Sequence, residues 1–165
     1  MLRHAIWSLY MPSQVAGANL VYFDLYNGSD RDITVSSLTA VKEAAVAVTG
    51  LVAVRLFLTR TTAVGTGGTA NDTQGTSLTA CTITRLQSNT LPTGISARLT
   101  PTGGATAGAV LCERNIMPEE LGNSANYEPL EFITALLNVP EGTGIRVVQG
   151  SVASVGNIGF GCSFY

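Results

Sequence analysis

The chain has 165 residues, a length that suits one domain with a single core. It is 45% hydrophobic and only 12% charged, which is about half the usual share of charged residues. This composition excludes proteins that depend on a highly charged surface. Lys42 is the only lysine, whereas threonines number 20 and glycines 18. Threonine and valine favour pleated surfaces and glycine interrupts them, so the composition predicts an all-β protein. A surface poor in lysine and glutamate is typical of protein interfaces and favours permanent assembly, with a hydroxyl-coated monomer as the alternative.

Charge and hydropathy exclude two classes of partner. The formal net charge is −2, and the eight arginines are scattered singly rather than clustered, so we expect no nucleic-acid partner. No run of 18 apolar residues occurs, so we expect no transmembrane helix and no membrane partner. The N-terminus has a basic start, but Ser8, Tyr10 and Pro12 interrupt its short apolar patch, and a secretion signal is not expected.

The inventory of reactive side chains argues against catalysis. Cys81, Cys112 and Cys162 are odd in number and widely spaced, as expected for small buried thiols of a protein made in a reducing cytosol. The only histidine, His4, lies near the N-terminus, so neither a nucleophile–base pair nor a zinc site is expected. The sequence therefore predicts a protein that is not an enzyme and that holds no cofactor or metal.

The chain divides into an N-terminal arm, residues 1–18, and one β domain, residues 19–165. The arm contains Trp7 and Tyr10. Aromatic side chains commonly anchor interfaces, so these two are the candidate interface residues. The alternative is that they pack on the core of their own domain.

The first strands of the domain are marked by apolar runs and turn residues. Residues 20–26 are predicted to form a strand, and Asn27-Gly28 has the chemistry of a tight hairpin turn. Residues 33–41 are then the returning strand, with a β-bulge expected at Ser36-Ser37. Residues 42–49 are ambiguous between helix and strand, and residues 51–62 show the clearest interior-strand pattern.

Two glycine-rich loops, residues 63–75 and 101–108, are expected to be exposed. A helical turn is predicted at residues 118–121, where a proline precedes two glutamates. The remaining predicted strands are residues 78–86, 95–99, 110–116, 130–139, 145–152 and 158–165.

The last two of these strands are predicted to form a hairpin in the centre of the core. Along the final strand, apolar residues alternate with small or polar ones. The apolar set is Ile158, Phe160, Cys162 and Phe164, and the other set is Gly159, Gly161, Ser163 and Tyr165. Such period-two alternation is typical of a half-buried strand. Eight or nine strands with frequent turns predict an antiparallel β-sandwich or barrel.

The closing segment also carries a family resemblance. It has a proline-glycine turn, a strand of the form Ile-Arg-Val-x-Gln and a last aromatic strand, with the residues Pro140, Glu141, Gly142, Gly144, Ile145, Arg146, Val147, Gln149, Phe160 and Phe164. Over about the last 30 residues, this pattern resembles the end of phage virion proteins with a jelly-roll fold. Those proteins commonly finish with Trp or Glu near the end, whereas this chain finishes with Phe164-Tyr165.

The resemblance implies a jelly-roll β-sandwich and a structural role in the virion. It implies a capsid decoration or cement protein, or another minor head protein, that stabilises a phage head as a homotrimer. Its partners would be the major capsid protein and its own copies, after assembly in the host cytoplasm. It implies no catalytic residues. One alternative is a fibre-tip or receptor-binding jelly-roll that recognises a host surface glycan through loops 63–75 and 101–108. A secreted trimeric jelly-roll of the cytokine or complement type is disfavoured by the odd cysteine count and the poor signal sequence.

Overall fold

The protein is all-β, with two antiparallel sheets. The computed structural model describes residues 6–43, 54–70, 82–85, 91–104, 107–116, 130–133, 135–152 and 157–165. These residues form twelve strands: β1 (Trp7–Val15), β2 (Val21–Asn27), β3 (Ile33–Glu43), β4 (Val54–Thr61), β5 (Thr69–Ala70), β6 (Thr82–Arg85), β7 (Ile95–Leu99), β8 (Val110–Ile116), β9 (Leu130–Glu131), β10 (Leu137–Val139), β11 (Thr143–Gln149) and β12 (Asn157–Phe164). Within these ranges there is no helix that could span a membrane.

The strands are distributed between two sheets. Sheet A has the order β10-β3-β12-β1-β6, with β9 also on β3, and sheet B has the order β5-β7-β2-β11-β4-β8. The pairing is nested, since β1 pairs with β12, β2 with β11, β3 with β10 and β4 with β8. The segment between β4 and β8 contributes β5, β6 and β7, which extend both sheets on the β1 and β2 side. Each sheet therefore combines strands from both ends of the chain.

The core fills the space between the inner faces of the sheets. Alternate residues of the central strands are fully buried, and the ring of Tyr22 in sheet B lies 5.3 Å from that of Phe160 in sheet A. Arg60 of β4 reaches across one edge, where its guanidinium donates to the carbonyl oxygen of Asn138 at 2.6 Å. The β-branched and aromatic residues predicted to face inward are the ones that join the two layers.

Several local predictions are confirmed. The last strand lies inside sheet A between β1 and β3, and its predicted apolar face is buried. A register shift at the pairing of Ser163 with Ser37 leaves Ser36 unpaired, which is the predicted bulge. Strands β7 and β8 have the predicted bounds. The Cys162 side chain is buried, as expected, and Cys112 is half-buried.

Both hairpin predictions are wrong. Strand β2 belongs to sheet B and β3 to sheet A, and the same division separates β11 from β12. The Asn27-Gly28 turn instead carries the chain from one sheet to the other. The Asn27 amide donates to the carbonyl oxygens of Arg31 and Val139 at 2.8 and 2.9 Å, which ties the crossing to the end of β10. The residue types of a turn indicate that the chain reverses its direction, but they do not specify whether the next strand pairs with the previous one.

The prediction of one continuous strand over residues 130–139 is also wrong. Two short strands occur there, because β9 pairs with Thr39 and Ala40 while β10 pairs near the start of β3. Between them Phe132 enters the core, where it is 3% exposed. The described residues hold twelve strands rather than eight or nine, and three of them, β5, β9 and β10, have two or three residues each.

The segment predicted to be an N-terminal arm contains β1, which lies between β12 and β6. Other predictions fall outside the described residues. These are most of the ambiguous segment 42–49, the helical turn at 118–121, Cys81, His4, and the loop residues 71–75, 105 and 106.

Candidate functional site

The outer face of sheet B carries a row of polar residues that runs across four strands. In register the row is Thr59 of β4, Arg146 of β11, Asp24 of β2 and Arg98 of β7. Alternation places these side chains opposite the core, because their strand neighbours Leu58, Val147 and Phe23 face inward. We call these four residues the charged row.

The centre of the charged row is a buried ion pair. Arg146 Nε donates to Asp24 Oδ2 at 2.9 Å, although Asp24 is 0% exposed and Arg146 only 4%. Burial raises the pKa of the Asp24 carboxyl above its ordinary value, and this rise is opposed by the hydrogen bond and charge of Arg146, by the charge of Arg98 and by a backbone hydrogen bond from Gly65. Leaving either charge without the other in such a site is costly, so the two side chains are strongly coupled.

Two loops cover the charged row, one of residues 62–68 and the other of residues 100–104. They bind each other through Thr66, whose N–H donates to the Gly103 carbonyl at 2.9 Å and whose carbonyl accepts from the N–H groups of Thr102 and Gly103 at 3.0 and 3.1 Å. They also bind the row, because Arg146 Nη2 donates to the Gly103 carbonyl at 3.5 Å and Arg98 Nη1 to the Gly67 carbonyl at 3.2 Å. We call the two joined loops the loop platform.

Glycine is required where the loop platform meets the sheet. A Cβ on Gly65 would lie 2.8 Å from Asp24 Oδ2 and 3.1 Å from both Arg146 Nη2 and Pro101 Cβ. Gly68 has φ +62° and lies against the backbone of Leu99 and Thr100, a conformation and a spacing that a side chain would oppose. The glycines of the predicted exposed loop therefore allow close packing over the ion pair.

Three buried side-chain oxygens on the strands of the charged row have no hydrogen-bond partner among the described residues. They are Asp24 Oδ1, Thr59 Oγ1 and Ser96 Oγ. Buried polar atoms of this kind are ordinarily satisfied by water molecules held inside the protein. The charged row can thus hold water and fix two loops, while the platform shields its carboxylate from a substrate in solution.

Acidic residues near the first turn hold the fold together rather than a ligand. In the described part of the chain, no group of three His, Cys, Asp or Glu side chains is arranged to hold a metal ion. Asp32, near the first turn, accepts from the Asn138 amide at 2.8 Å and from the Glu141 N–H at 3.3 Å. It joins the β2–β3 crossing to the turn before β11.

The two candidate interface residues both lie on β1. Trp7 is half-buried and stacks on Phe164 with ring centroids 5.8 Å apart and an interplanar angle of 17°. Tyr10 pairs in register with Gly161 on one side and Thr82 on the other. Trp7 thus packs on the core of its own domain, and a role for either residue in contacting a partner stays a prediction.

The charged row was not predicted from the sequence. In the sequence, Arg146 belonged only to the family pattern at the end of the chain, and Asp24 lay only within the predicted strand 20–26. The available signal was a single charge in the middle of each of two apolar strands, which is unusual unless the charge is paired. The partner was not identifiable, since 122 residues separate Asp24 from Arg146.

Comparisons of the chain with known protein families, with curated proteins and with solved structures found no match.

Proposed function

We propose that this protein is a structural component of a phage virion, a capsid decoration or cement protein that stabilises the head as a homotrimer. The observation that carries the proposal is the nested pairing of strands, in which β1 to β4 pair with β12, β11, β10 and β8 in turn. The role requires no catalysis and no cofactor.

The nested pairing supports the jelly-roll fold. A jelly roll results when a long antiparallel hairpin is wrapped into two sheets, so that the first strand pairs with the last, the second with the one before it, and so on inward. On this interpretation β1 to β4, β8, β10, β11 and β12 are the eight principal strands, and β5 to β7 belong to an insertion that widens both sheets. Viral capsid domains and lectins are among the proteins built on jelly rolls.

A cement protein acts by binding the assembled shell in preference to its free subunits. Such binding adds about 2.7 kcal/mol per site when the free protein is at 100 times its dissociation constant. Low charge suits this role, because interface cores are depleted in lysine and glutamate and only 12% of this chain is charged.

Binding to empty capsids of the parent virus tests the proposal. The purified protein should co-sediment with capsids at a fixed ratio and raise the temperature at which they disassemble. Protein that stays in the supernatant at micromolar concentration contradicts the proposal.

The predicted contact residues are tested in the same assay. Tyr10→Ala and Trp7→Ala should weaken capsid binding, and Tyr26→Ala, a half-buried aromatic residue of sheet B, serves as the matched control. Because Trp7 stacks on Phe164, the folding of Trp7→Ala must first be checked by circular dichroism. Unchanged binding by both variants removes them as contact residues and leaves the capsid role itself standing.

The loop platform favours a second candidate, a fibre-tip or receptor-binding module for a host surface glycan. Loops held on a rigid scaffold commonly carry binding sites, and these two are fixed to each other and to the sheet. Their described residues include no aromatic side chain of the kind that stacks on sugars, which places this candidate second. A clear hit in a glycan array, lost in Thr66→Ala or Thr102→Ala, would reverse the order.

A further inference from the structure

We propose that Asn27-Gly28 is a site of spontaneous deamidation that the fold protects, and that deamidation there prevents a chain from reaching this fold. Asparagine deamidates most readily before glycine, because glycine has no side chain to hinder the backbone nitrogen that attacks. Of the nine asparagines in the sequence, only Asn27 is followed by glycine. The inference is independent of the proposed function.

The modification needs only the chain itself and water. The backbone nitrogen of Gly28 attacks Cγ of Asn27 and forms a new bond, and the bond from Cγ to Nδ2 breaks. The Nδ2 group leaves as ammonia with the proton of the Gly28 N–H. Water then opens the succinimide ring at one of its two carbonyls. The product is either aspartate or isoaspartate, in which the backbone runs through the former side chain.

In the folded protein, the backbone around this site is fixed on both sides. Asn27 is fully buried at the end of β2, in register with Thr143 of β11 and Ile95 of β7. The Gly28 N–H donates to the Gly94 carbonyl at 2.8 Å. Closing the ring requires rotation of the extended backbone at Asn27, which would break this hydrogen bond and the strand pairing. The reaction therefore has to wait for local unfolding.

The side-chain amide of Asn27 is also fully engaged. Its Nδ2 donates to the carbonyl oxygens of Arg31 and Val139 at 2.8 and 2.9 Å. Its Oδ1 accepts from the Ser29 N–H at 3.1 Å and from the Ser29 hydroxyl at 2.6 Å. These hydrogen bonds need a donor on one side of the group and an acceptor on the other, which an amide supplies and a carboxylate does not.

Either product of deamidation is incompatible with these contacts. In aspartate, an acceptor oxygen replaces Nδ2 and faces the carbonyl oxygens of Arg31 and Val139. A buried carboxylate that loses two hydrogen bonds is costly. In isoaspartate, the backbone is longer by one carbon where the Asn27 carbonyl accepts from the Gly142 N–H at 2.8 Å, so β2 and β11 lose their register.

The fold nevertheless requires both residues of this labile pair. A Cβ on Gly28 would lie 2.9 Å from the Gly94 carbonyl oxygen and 3.3 Å from Tyr26 Cε1, so a larger residue would have to displace the backbone. Position 27 in turn needs an amide. The crossing between the two sheets thus depends on a dipeptide that is durable only when folded, and a chain that stays unfolded has a limited time in which to fold.

Peptide mass spectrometry after incubation in mildly alkaline buffer tests the protection. In urea, Asn27 should deamidate several-fold faster than any other asparagine. In native buffer, its deamidation should be at least about tenfold slower than in urea, because the rate then follows the population of the open form. Gly28→Ala is the chemical control, since in urea it should slow the modification whatever its effect on folding.

Refolding tests the consequence. After increasing times in urea, the fraction of chains that refold on dilution should fall in step with the fraction deamidated at Asn27. Asn27→Asp, which has the aspartate product, should unfold at a lower urea concentration than the wild type or fail to fold. Asn115→Asp, an exposed position on β8, is the matched control and should keep the wild-type midpoint.

Two results would overturn the inference. Equal rates of deamidation at Asn27 in native buffer and in urea would show that the fold does not protect the site. Deamidated chains that refold with the wild-type midpoint would show that the amide is not required. Capsid binding by the unmodified protein is unaffected by either result, so the proposed function stands or fails separately.

Discussion

The outer faces of the two sheets differ in what covers them. On sheet B, the loop platform buries a charged row that includes the Asp24–Arg146 pair. On sheet A, the central residues of the outer face, Ser8, Tyr10, Thr39, Gly161 and Ser163, carry no charge. The Ser8 and Ser163 hydroxyls share a hydrogen bond, and the Thr39 hydroxyl donates to the Gly161 carbonyl. Sheet B thus has charges in its centre that the same chain pairs and encloses, whereas these central residues of sheet A have none. Charges in the middle of strands are tolerated on sheet B because a counter-charge and two loops of the same chain surround them.

The largest expected effect comes from breaking the pair under the loop platform. Arg146→Met leaves Asp24 buried without its counter-charge and should lower the free energy of unfolding by about 3–5 kcal/mol. Urea denaturation at one fixed protein concentration measures it. The double variant Arg146→Met with Asp24→Leu should recover at least half of the loss, because a well-packed apolar pair can replace a buried ion pair. If Arg146→Met lowers the free energy of unfolding by less than about 1 kcal/mol, the Asp24–Arg146 pair is not enclosed as described.

Tyr22 lies in the core between the two sheets, so its contribution to stability can be compared with those expected at the two outer faces. Burial raises the pKa of Tyr22 from 10.0 to about 12, and a backbone hydrogen bond with Gly17 opposes the rise. Because the folded pKa lies above the unfolded one, the stabilisation is complete below pH 10 and is lost as the pH rises through about 12. Its size is about 2–3 kcal/mol, at about 1.4 kcal/mol per pKa unit.

Denaturation between pH 9 and pH 12 checks this expectation. Tyr22→Phe should show a shallower loss of stability over that range than the wild type, and phenol absorbance should lose its latest ionisation step. Equal slopes for the two proteins would show that Tyr22 ionises as freely in the folded state as in the unfolded chain.

A matched pair of glycines compares the two faces directly. Gly65→Ala inserts a Cβ against Asp24 and Arg146 and should cost about 1–3 kcal/mol, as over-packed sites do. Gly161→Ala meets only the Thr39 hydroxyl and should change stability by less than about 0.5 kcal/mol, because alanine fits a strand better than glycine does. Thermal denaturation of both variants measures the difference. If the two variants lose the same amount of stability, the outer face of sheet B is packed no more tightly at Gly65 than the outer face of sheet A is at Gly161.

The smallest expected effect is at an exposed ion pair of sheet B. Arg55 Nη2 lies 2.7 Å from Glu113 Oε1, with side chains 55% and 37% exposed. Glu113→Gln should lower stability by less than about 1 kcal/mol, and 1 M salt should abolish the difference from the wild type. A cost that approaches that of Arg146→Met would mean that burial does not distinguish the two pairs.

Local sequence patterns predicted most of the strands because alternation is a property of a few neighbouring residues. The burial of Ile158, Phe160, Cys162 and Phe164 followed from their spacing alone, and so did the bulge at Ser36. Strand β1 was missed although Trp7, Leu9 and Met11 alternate with more polar residues, because Pro12 interrupts the run and the register shifts between Met11 and Gln14.

The charged row could not be predicted for a different reason. Its members come from four strands, and the glycines that let the loop platform close over it are indistinguishable in sequence from those of a flexible loop. What makes Gly65 necessary is the distance from its Cβ position to Asp24, a contact between segments 41 residues apart in the numbering.

The sequence by itself determined that the chain is all-β, where most strands lie and which residues of the last strand face inward, because a period of two needs only adjacent residues. Only the tertiary structure decided which strands pair. Consecutive strands such as β2 and β3, or β11 and β12, lie in opposite sheets, and their hydrogen-bond partners come from distant parts of the chain. The enclosure of Asp24 and Arg146 depends on this pairing of distant strands. The pairing brings β2 and β11 side by side beneath two loops, and the sequence of neither strand indicates that those loops lie above it.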